Sequence, residues 1–344
     1  MLHLTEWRDD AGPAVDAFVA EHAAGLVYYT SAYRRFLLRL LDCRCASLIA
    51  WEDDDVAGVL PLLSMEGRFG TVLNSLPFFG SNGGVLARTA AAERALLDAF
   101  EARAGASSVG AATWIANPFA ATAIPRHDIV DERISQWTDL ADRDSQTGLP
   151  RGIESSAHRN VNKAKAEGIT VRETPDGLDC LERMHRDNMA RIGGREKPAA
   201  FFAAVRDALE FGRDWSLYVA MLAGSEIGAL LLFHAATTVE YIMPGIVEEA
   251  RSMQPTALLI AQAMRDAMSR GYRRWNWGGT WLSQDGVYRF KRKWGAQETR
   301  YRYFIKLNNE RMLGATPAEL AAIYPYFYSV PYSRLVAHEH VGVS

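Results

Sequence analysis

Residues 47–63, SLIAWEDDDVAGVLPLL, and residues 216–233, SLYVAMLAGSEIGALLLF, read as two copies of one hairpin. Each has an apolar strand, a short polar turn and a second apolar strand holding a single glycine, Gly58 or Gly228. Apolar runs bounded by turn residues are the signature of paired strands. The copies lie about 170 residues apart, so the question is whether their surroundings repeat as well.

They do. Apolar residues at three- and four-residue spacing predict two helices before each hairpin, over 13–24 and 31–42, then over 177–191 and 198–211. Each hairpin is followed by an extended segment and one more helix, 91–105 in the first half and 255–268 in the second. Pro255 suits a first helical turn and Gly271 a stop. Buried-looking strands follow at 107–116 and 272–278. The repeated order predicts an α/β chain of two tandem domains, with mixed sheets flanked by helices. The expected boundaries are 1–145 and 146–344, the second ending in a helical tail that the aromatic run Tyr324 to Tyr328 packs onto the body. Residues 142–152, DRDSQTGLPRG, suit the linker.

The chain has 344 residues, 49% hydrophobic and 23% charged, which excludes disordered, collagenous and coiled-coil classes. Three cysteines, without a CxxC or a histidine partner at ligand spacing, fit a reducing compartment and no structural metal. The start MLHLTEWRDD lacks the basic, apolar pattern of a secretion signal, and no stretch reaches the roughly 20 apolar residues of a bilayer span. These features predict a cytoplasmic protein without an integral membrane segment.

Charge is uneven. Residues 1–150 carry 12 arginines against 20 acidic groups, whereas residues 270–306 hold ten basic groups against Asp285 and Glu298. An anionic ligand would be drawn to that second segment. No Walker A loop, nucleophile elbow, HExxH helix or Rossmann fingerprint is present. His158, His185 and His234 lack a carboxylate or serine partner at informative spacing, and Glu226 and Glu240 flank the second hairpin, where a turn carboxylate is usually solvated. Trp275 and Trp277 read as core residues of a strand.

Three segments could carry chemistry. The loop Gly80 to Gly84, with Asn82 and Gly83, is either a wide turn or the lining of an inter-domain cleft. Helix 158–167 ends at Gly168 and sets Arg159 and Lys163 four residues apart on one face, fit to hold phosphates or carboxylates. In GGTWLSQDGVYRFKRKWGA (278–296) a strand ends in two glycines, and a short helix then alternates aromatic with basic residues. Tyr288, Lys291 and Arg292 share one face of that helix, while Phe290 and Trp294 share another suited to anchoring in the core. A cation fixed by packed aromatics is what stabilisation of developing negative charge requires.

RNVNKAKAEGITVRE (159–173) followed by the 278–296 segment resembles the FemABX-type transferases, whose chains contain two GNAT-like domains. The resemblance covers essentially the whole chain. It implies acyl or aminoacyl transfer to an amine of a cell-envelope precursor, a nucleotide- or lipid-linked sugar or peptide. It implies no tightly bound cofactor, with aminoacyl-tRNA or acyl-CoA as co-substrate, no DNA partner, and a monomer or homodimer. Phe290 and Lys291 match the family's Phe-Lys pair, the lysine being placed to neutralise the tetrahedral transition state. Arg159 and Lys163 match the acceptor-phosphate position, and Tyr241 a tyrosine of the same cleft, with Tyr288 and Arg289 beside them as further substrate contacts. An ordinary coenzyme A site would need a glycine-rich turn before the central helix, yet Arg251 to Thr256 has no glycine and Pro255 removes a backbone donor. The family's long tRNA-binding helical arm is absent as well. The rival readings are an acetyl-CoA-dependent N-acetyltransferase acting on a small amine or amino sugar, and a non-catalytic binder of anionic glycan or RNA.

Overall fold

The computed structural model describes residues 1–76, 83–120, 123–280 and 284–335. In chain order, the first half holds β1 (Leu2–Glu6), α1 (Gly12–Glu21), α2 (Ser31–Leu40), β2 (Arg44–Cys45), β3 (Leu48–Glu52), β4 (Asp55–Leu60), β5 (Leu63–Met65), β6 (Thr71–Asn74), β7 (Leu86–Ala87), α3 (Ala90–Ala104), β8 (Val109–Ile115) and β9 (Ile129–Asp139). There follow α4 (Ser155–Ala166), β10 (Thr170–Glu173), α5 (Leu178–Ile192), α6 (Ala199–Ala208), β11 (Trp215–Leu222), β12 (Ser225–Ala235), β13 (Thr238–Ile246), α7 (Pro255–Ser269), β14 (Arg274–Thr280), α8 (Asp285–Arg292), β15 (Gln297–Leu307) and α9 (Pro317–Ile323). The fold class is the one the repeat predicts, a mixed α/β chain in which helix, helix, hairpin, strand, helix and strand occur twice.

The chain forms two compact units, one of residues 1–134 with 300–335 and the other of residues 135–299. This division differs from the expected 1–145 and 146–344. The chain leaves the first unit inside β9 and returns inside β15, so the 142–152 segment lies within the second unit. The aromatic tail belongs to the first unit, because β15 pairs antiparallel with β8, Tyr303 opposite Ile115 through Leu307 opposite Ala111.

In the first unit, β1-β3-β4-β7 form one sheet, and β15-β8-β6-β5-β2 are neighbours in the other. The expected single strand after the first turn is divided into β4 and β5, since Pro61 cannot donate to a ladder. Helix α3 starts at Thr89, whose Oγ1 accepts the Ala92 N–H at 3.2 Å. Its Leu96, Leu97 and Phe100 pack with Leu48, Leu60, Ala112 and Trp114 in one core cluster.

In the second unit the strand order is β10-β11-β12-β13-β14-β9. The hairpin β11–β12 turns at Ala223 and Gly224, both at positive φ (48° and 82°), the geometry of a tight hairpin turn. Helix α7 lays Leu259, Ile260, Ala263 and Met264 on Tyr218, Leu230, Leu232 and Trp275, and α4 adds Ala157, Val161 and Ala164 to the same core. Trp275 and Trp277 are both buried there, as their spacing predicts. Helix α5 packs Leu181 and Met184 against Gly245 of β13, where a β-carbon would meet the Leu181 side chain at 2.8 Å.

Gly110 of β8 is as tight as any described glycine of the first unit, because a β-carbon there would stand 2.1 Å from the Phe69 carbonyl oxygen, the same distance that one at Gly25 would stand from the Val19 carbonyl oxygen. Backbone cannot yield as a side chain tip can. A Gly110→Ala chain should lose at least about 3 kcal/mol of stability, at or above the usual range for overpacking. Denaturant unfolding with separate probes for each unit checks this, and the loss should fall on the first unit.

Candidate active site

Strands β13 and β14 run parallel, but their ladder lasts only three residues, from Thr238 opposite Arg274 to Glu240 opposite Asn276. Beyond it β13 continues to Ile246 and β14 to Thr280, each without the other as partner. The register between β12 and β13 also shifts there, Leu231 facing Met243 and Leu232 facing Tyr241, so Ile242 is the extra residue of a bulge. A bulge next to parting parallel strands re-aims backbone N–H and C=O groups outside the ladder. Ligands of open α/β sheets bind outside the carboxyl ends of such strands.

Lys291 of α8 reaches this end of β14. Its side chain is buried, the residue being 5% exposed. The Nζ donates to Thr280 Oγ1 at 2.8 Å, to the Gly279 carbonyl at 3.2 Å and to the Gly278 carbonyl at 3.4 Å. Three protons thus meet three oxygens, all of them uncharged. Burial pushes the ammonium down to about 8, because the charged form loses solvation without a carboxylate in return. The network goes deeper: Thr280 Oγ1 donates to Gln136 Oε1 at 2.8 Å, and Gln136 Nε2 donates to the Tyr288 carbonyl at 3.2 Å. Beside it, Thr138 Oγ1 accepts from Trp277 Nε1 at 2.9 Å and donates to the Trp294 carbonyl at 3.0 Å.

Two expectations for α8 need correction. Lys291 does not share the exposed face of Tyr288 and Arg292, since it turns inward to the β14 oxygens. Phe290 does not anchor the helix either; at 36% exposure it stands at the rim, edge-on to Trp277 at 6.1 Å, and Trp294 is the buried anchor. Tyr288 donates its hydroxyl to Glu298 Oε2 at 2.7 Å and takes a 3.4 Å contact from Arg292. Arg289 is exposed, bonded to the Asp285 carbonyl of its own helix.

Tyr241 is half-buried on β13, its ring 4.9 Å from Trp277 and 6.2 Å from Trp275. Burial raises its phenol well above the usual range. Tyr241, Trp277 and Phe290 therefore form an aromatic run from β13 over β14 to α8. Arg159 and Lys163 lie on the exposed side of α4, Arg159 bonded only to Ser155 Oγ at 3.2 Å. The start of α4 adjoins the end of α8, where the Glu154 N–H donates to the Lys293 carbonyl at 2.9 Å. Gly83 belongs to the first unit, where its carbonyl accepts from the Tyr29 hydroxyl. Asn82 lies outside the described residues.

His234 has a serine partner after all, its Nε2 lying 2.9 Å from Ser216 Oγ. Burial, aided by Arg270, pushes the ring down to about 4, so it is a neutral core group. His185 is likewise pushed down to about 4 by burial and Lys197, and its Nε2 accepts the Lys197 N–H at 3.0 Å. Lys197 is itself pushed down to about 8 by burial, its ammonium 5.1 Å from the Phe201 ring centre. Glu240 is buried in β13 rather than solvated, while Glu226 pairs with Arg172 at 3.2 Å. Sequence reasoning missed Thr280, Gln136 and Thr138. Their one signal is a run of small polar residues within apolar strands.

A family model described as an acetyltransferase (GNAT) domain matches residues 154–292. No curated protein matches the chain. Among solved structures, FemX matches with a TM-score of 0.67 at 15% identity, over 90% of this chain and 98% of that one. The C-terminal domain of a putative lysylphosphatidylglycerol synthetase from Agrobacterium fabrum matches with a TM-score of 0.57 at 11% identity, over 94% and 99%. L-PGS from Bacillus licheniformis matches with a TM-score of 0.51 at 12% identity, over 79% and 87%. The gap between β13 and β14, with Lys291 beside it, falls inside the matched domain. Residues 154–292 are thus similar to an acetyltransferase (GNAT) domain, and the chain shares its fold with FemX.

Proposed function

We propose that the protein transfers an acyl or aminoacyl group to an amine of a cell-envelope precursor, with the reacting carbonyl held between β13 and β14 beside Lys291. The observation that carries this reading is a buried ammonium, bonded only to neutral oxygens, at the carboxyl end of two parting parallel strands. The likeness to FemX and to lysylphosphatidylglycerol synthetases supports the aminoacyl form of the reaction. Arg159 and Lys163 would hold the acceptor's phosphates, with Tyr241, Tyr288 and Arg289 as further substrate contacts.

The chemistry needs no covalent intermediate on the enzyme. The acceptor nitrogen, having lost its proton to solvent, attacks the donor's ester or thioester carbon, and the carbonyl electron pair moves onto oxygen. Collapse breaks the carbon–oxygen or carbon–sulfur bond, and the second proton that the attacking nitrogen sheds in becoming an amide passes to the leaving group. Lys291 can meet the oxyanion by giving up its longest bond, the one to Gly278. That exchange favours the transition state, since a carbonyl is replaced by a full negative charge in a dry site. Phe290 and Trp277 exclude water from one side.

The GNAT match favours a second reading, transfer from acetyl-CoA to a small amine or amino sugar. Against it, the chain before α7 forms a 3₁₀ turn, Glu248–Met253, with two acidic residues at its start, and Pro255 occupies the first helical position. A pyrophosphate would find one backbone donor fewer there and two nearby carboxylates. Incubation with charged tRNAs and with acyl-CoAs against nucleotide- and lipid-linked precursors, read by mass spectrometry, separates the readings. Product from aminoacyl-tRNA is expected; product from acetyl-CoA alone would reverse the order.

Lys291→Ala should fold and lose roughly 10²- to 10³-fold in turnover, the usual consequence of removing one oxyanion contact. Turnover at the unmodified rate would remove Lys291 from the mechanism. Because the protonated form is the working one, activity should fall as pH rises through about 8. A rate that instead climbs through that range would make Lys291 a neutral base. Nuclear magnetic resonance of labelled lysine side chains checks the assignment directly. Two lysines should titrate near 8, one signal vanishing in Lys291→Met and the other in Lys197→Met.

A further inference from the structure

A hydrogen bond has a direction, and the buried chain of bonds from α8 through β9 to β14 has its direction fixed at one end. Gln136 of β9 and Thr280 of β14 are both buried, on neighbouring strands of the second unit. Gln136 Nε2 lies 3.2 Å from the Tyr288 carbonyl oxygen, and Gln136 Oε1 lies 2.8 Å from Thr280 Oγ1. A backbone carbonyl can only accept, so the end of the amide that faces Tyr288 is its NH2 group. The amide oxygen is thereby turned to Thr280, and the single hydroxyl proton of Thr280 goes to it.

That leaves Thr280 with lone pairs alone to offer Lys291, whose Nζ stands 2.8 Å away. The other two partners, the Gly278 and Gly279 carbonyls, also only accept. A protonated lysine brings three N–H groups and satisfies all three oxygens. A neutral amine brings two N–H groups and a lone pair, and none of these partners can donate to that lone pair. Burial works the other way, towards the neutral amine. No bonded charge settles the balance instead. The side chains of β9 and β14 in this network, Gln136, Thr138 and Thr280, are uncharged. Of the charged groups on α8 and β15, Arg292 and Glu298 meet at the Tyr288 hydroxyl, and Arg289 bonds the carbonyl of Asp285.

We infer that Gln136 is a positioning residue, which draws the Thr280 proton to itself, leaves Lys291 among acceptors alone and so keeps the lysine as the ammonium that meets the oxyanion. The part that concerns the oxyanion rests on the transfer reading above; the polarity of the network does not.

Nuclear magnetic resonance of labelled lysine side chains in the full chain tests the polarity without substrate. In Gln136→Met, which keeps the length of the side chain and removes the amide, the Thr280 proton is free to turn towards Lys291. The Lys291 titration should then fall by at least about one pH unit, the order of effect of a hydrogen bond that favours one protonation state. Lys197, pushed down to about 8 by its own burial and outside this network, is the control and should not move. In Gln136→Glu the Lys291 titration should stay where it is or rise. A neutral glutamic acid donates to the Tyr288 carbonyl and accepts from Thr280 as the amide does, and an ionised one favours the ammonium by its charge. An unmoved Lys291 in Gln136→Met, or a lowered one in Gln136→Glu, would overturn the inference, and the Glu variant decides alone if the Met variant does not fold. The loss of activity with rising pH should shift down in Gln136→Met by as much as the titration does, which lost packing alone would not produce. A titration that moves while the activity profile stays would separate Gln136 from the reaction. If no donor supports turnover, the transfer reading fails by itself, and the titrations still decide the polarity of the network.

Discussion

A parallel ladder that stops after three residues leaves backbone groups that must be satisfied by something else. On the β14 side that partner is the Lys291 ammonium, which takes the carbonyls of Gly278 and Gly279 together with the Thr280 hydroxyl. Its burial is costly, because no carboxylate among its bonded partners offsets the lost solvation. An apolar residue would fill the same volume without the charge penalty, though it would orphan the Thr280 hydroxyl and the two carbonyls. A strongly perturbed titratable group, aimed at strand ends that parting has exposed, is the arrangement expected of a working site.

The fold was largely legible because its signals are local. Apolar spacing and caps place the six repeated helices within a few residues, and the two hairpins follow from their turns. The point at which the units part was not legible. Strands β9 and β15 each read as one uninterrupted strand, IVDERISQWTD and QETRYRYFIKL, and nothing in the alternation says that the halves of a strand serve different units. The break between β4 and β5 was visible only in Pro61, which looked like an ordinary residue in an apolar run.

The site was legible in its residues and not in their surroundings. Helical spacing groups Tyr288, Lys291 and Arg292 on one face, yet Lys291 turns inward, because which side of α8 is buried depends on Thr280 and on Gln136, which is 155 positions before Lys291. The His234–Ser216 bond has a similar origin. Ser216 faces Leu232 across β11 and β12, so His234 is its diagonal neighbour two residues on, a relation created by register rather than by spacing along the chain. Phe290 reads as a core aromatic because Phe usually is one; its exposure follows from α8 burying Lys291 and Trp294 instead.

Repetition of one supersecondary plan does not oblige both copies to do the same work. Each unit brings a parallel pair to an end, and each must then satisfy what the ladder releases. The second unit does so with a titratable side chain, which can exchange a neutral acceptor for a developing charge and return to it. The first unit does so within the pair itself, the Ser75 N–H donating to the Thr113 carbonyl at 2.9 Å and Ser75 Oγ accepting from the Ile115 N–H at 2.8 Å. A side chain that can change partners at small cost suits turnover, whereas bonds that close a strand pair on itself hold the fold. The chemical difference between Lys291 and Ser75 is therefore what sets the ends of the two strand pairs apart.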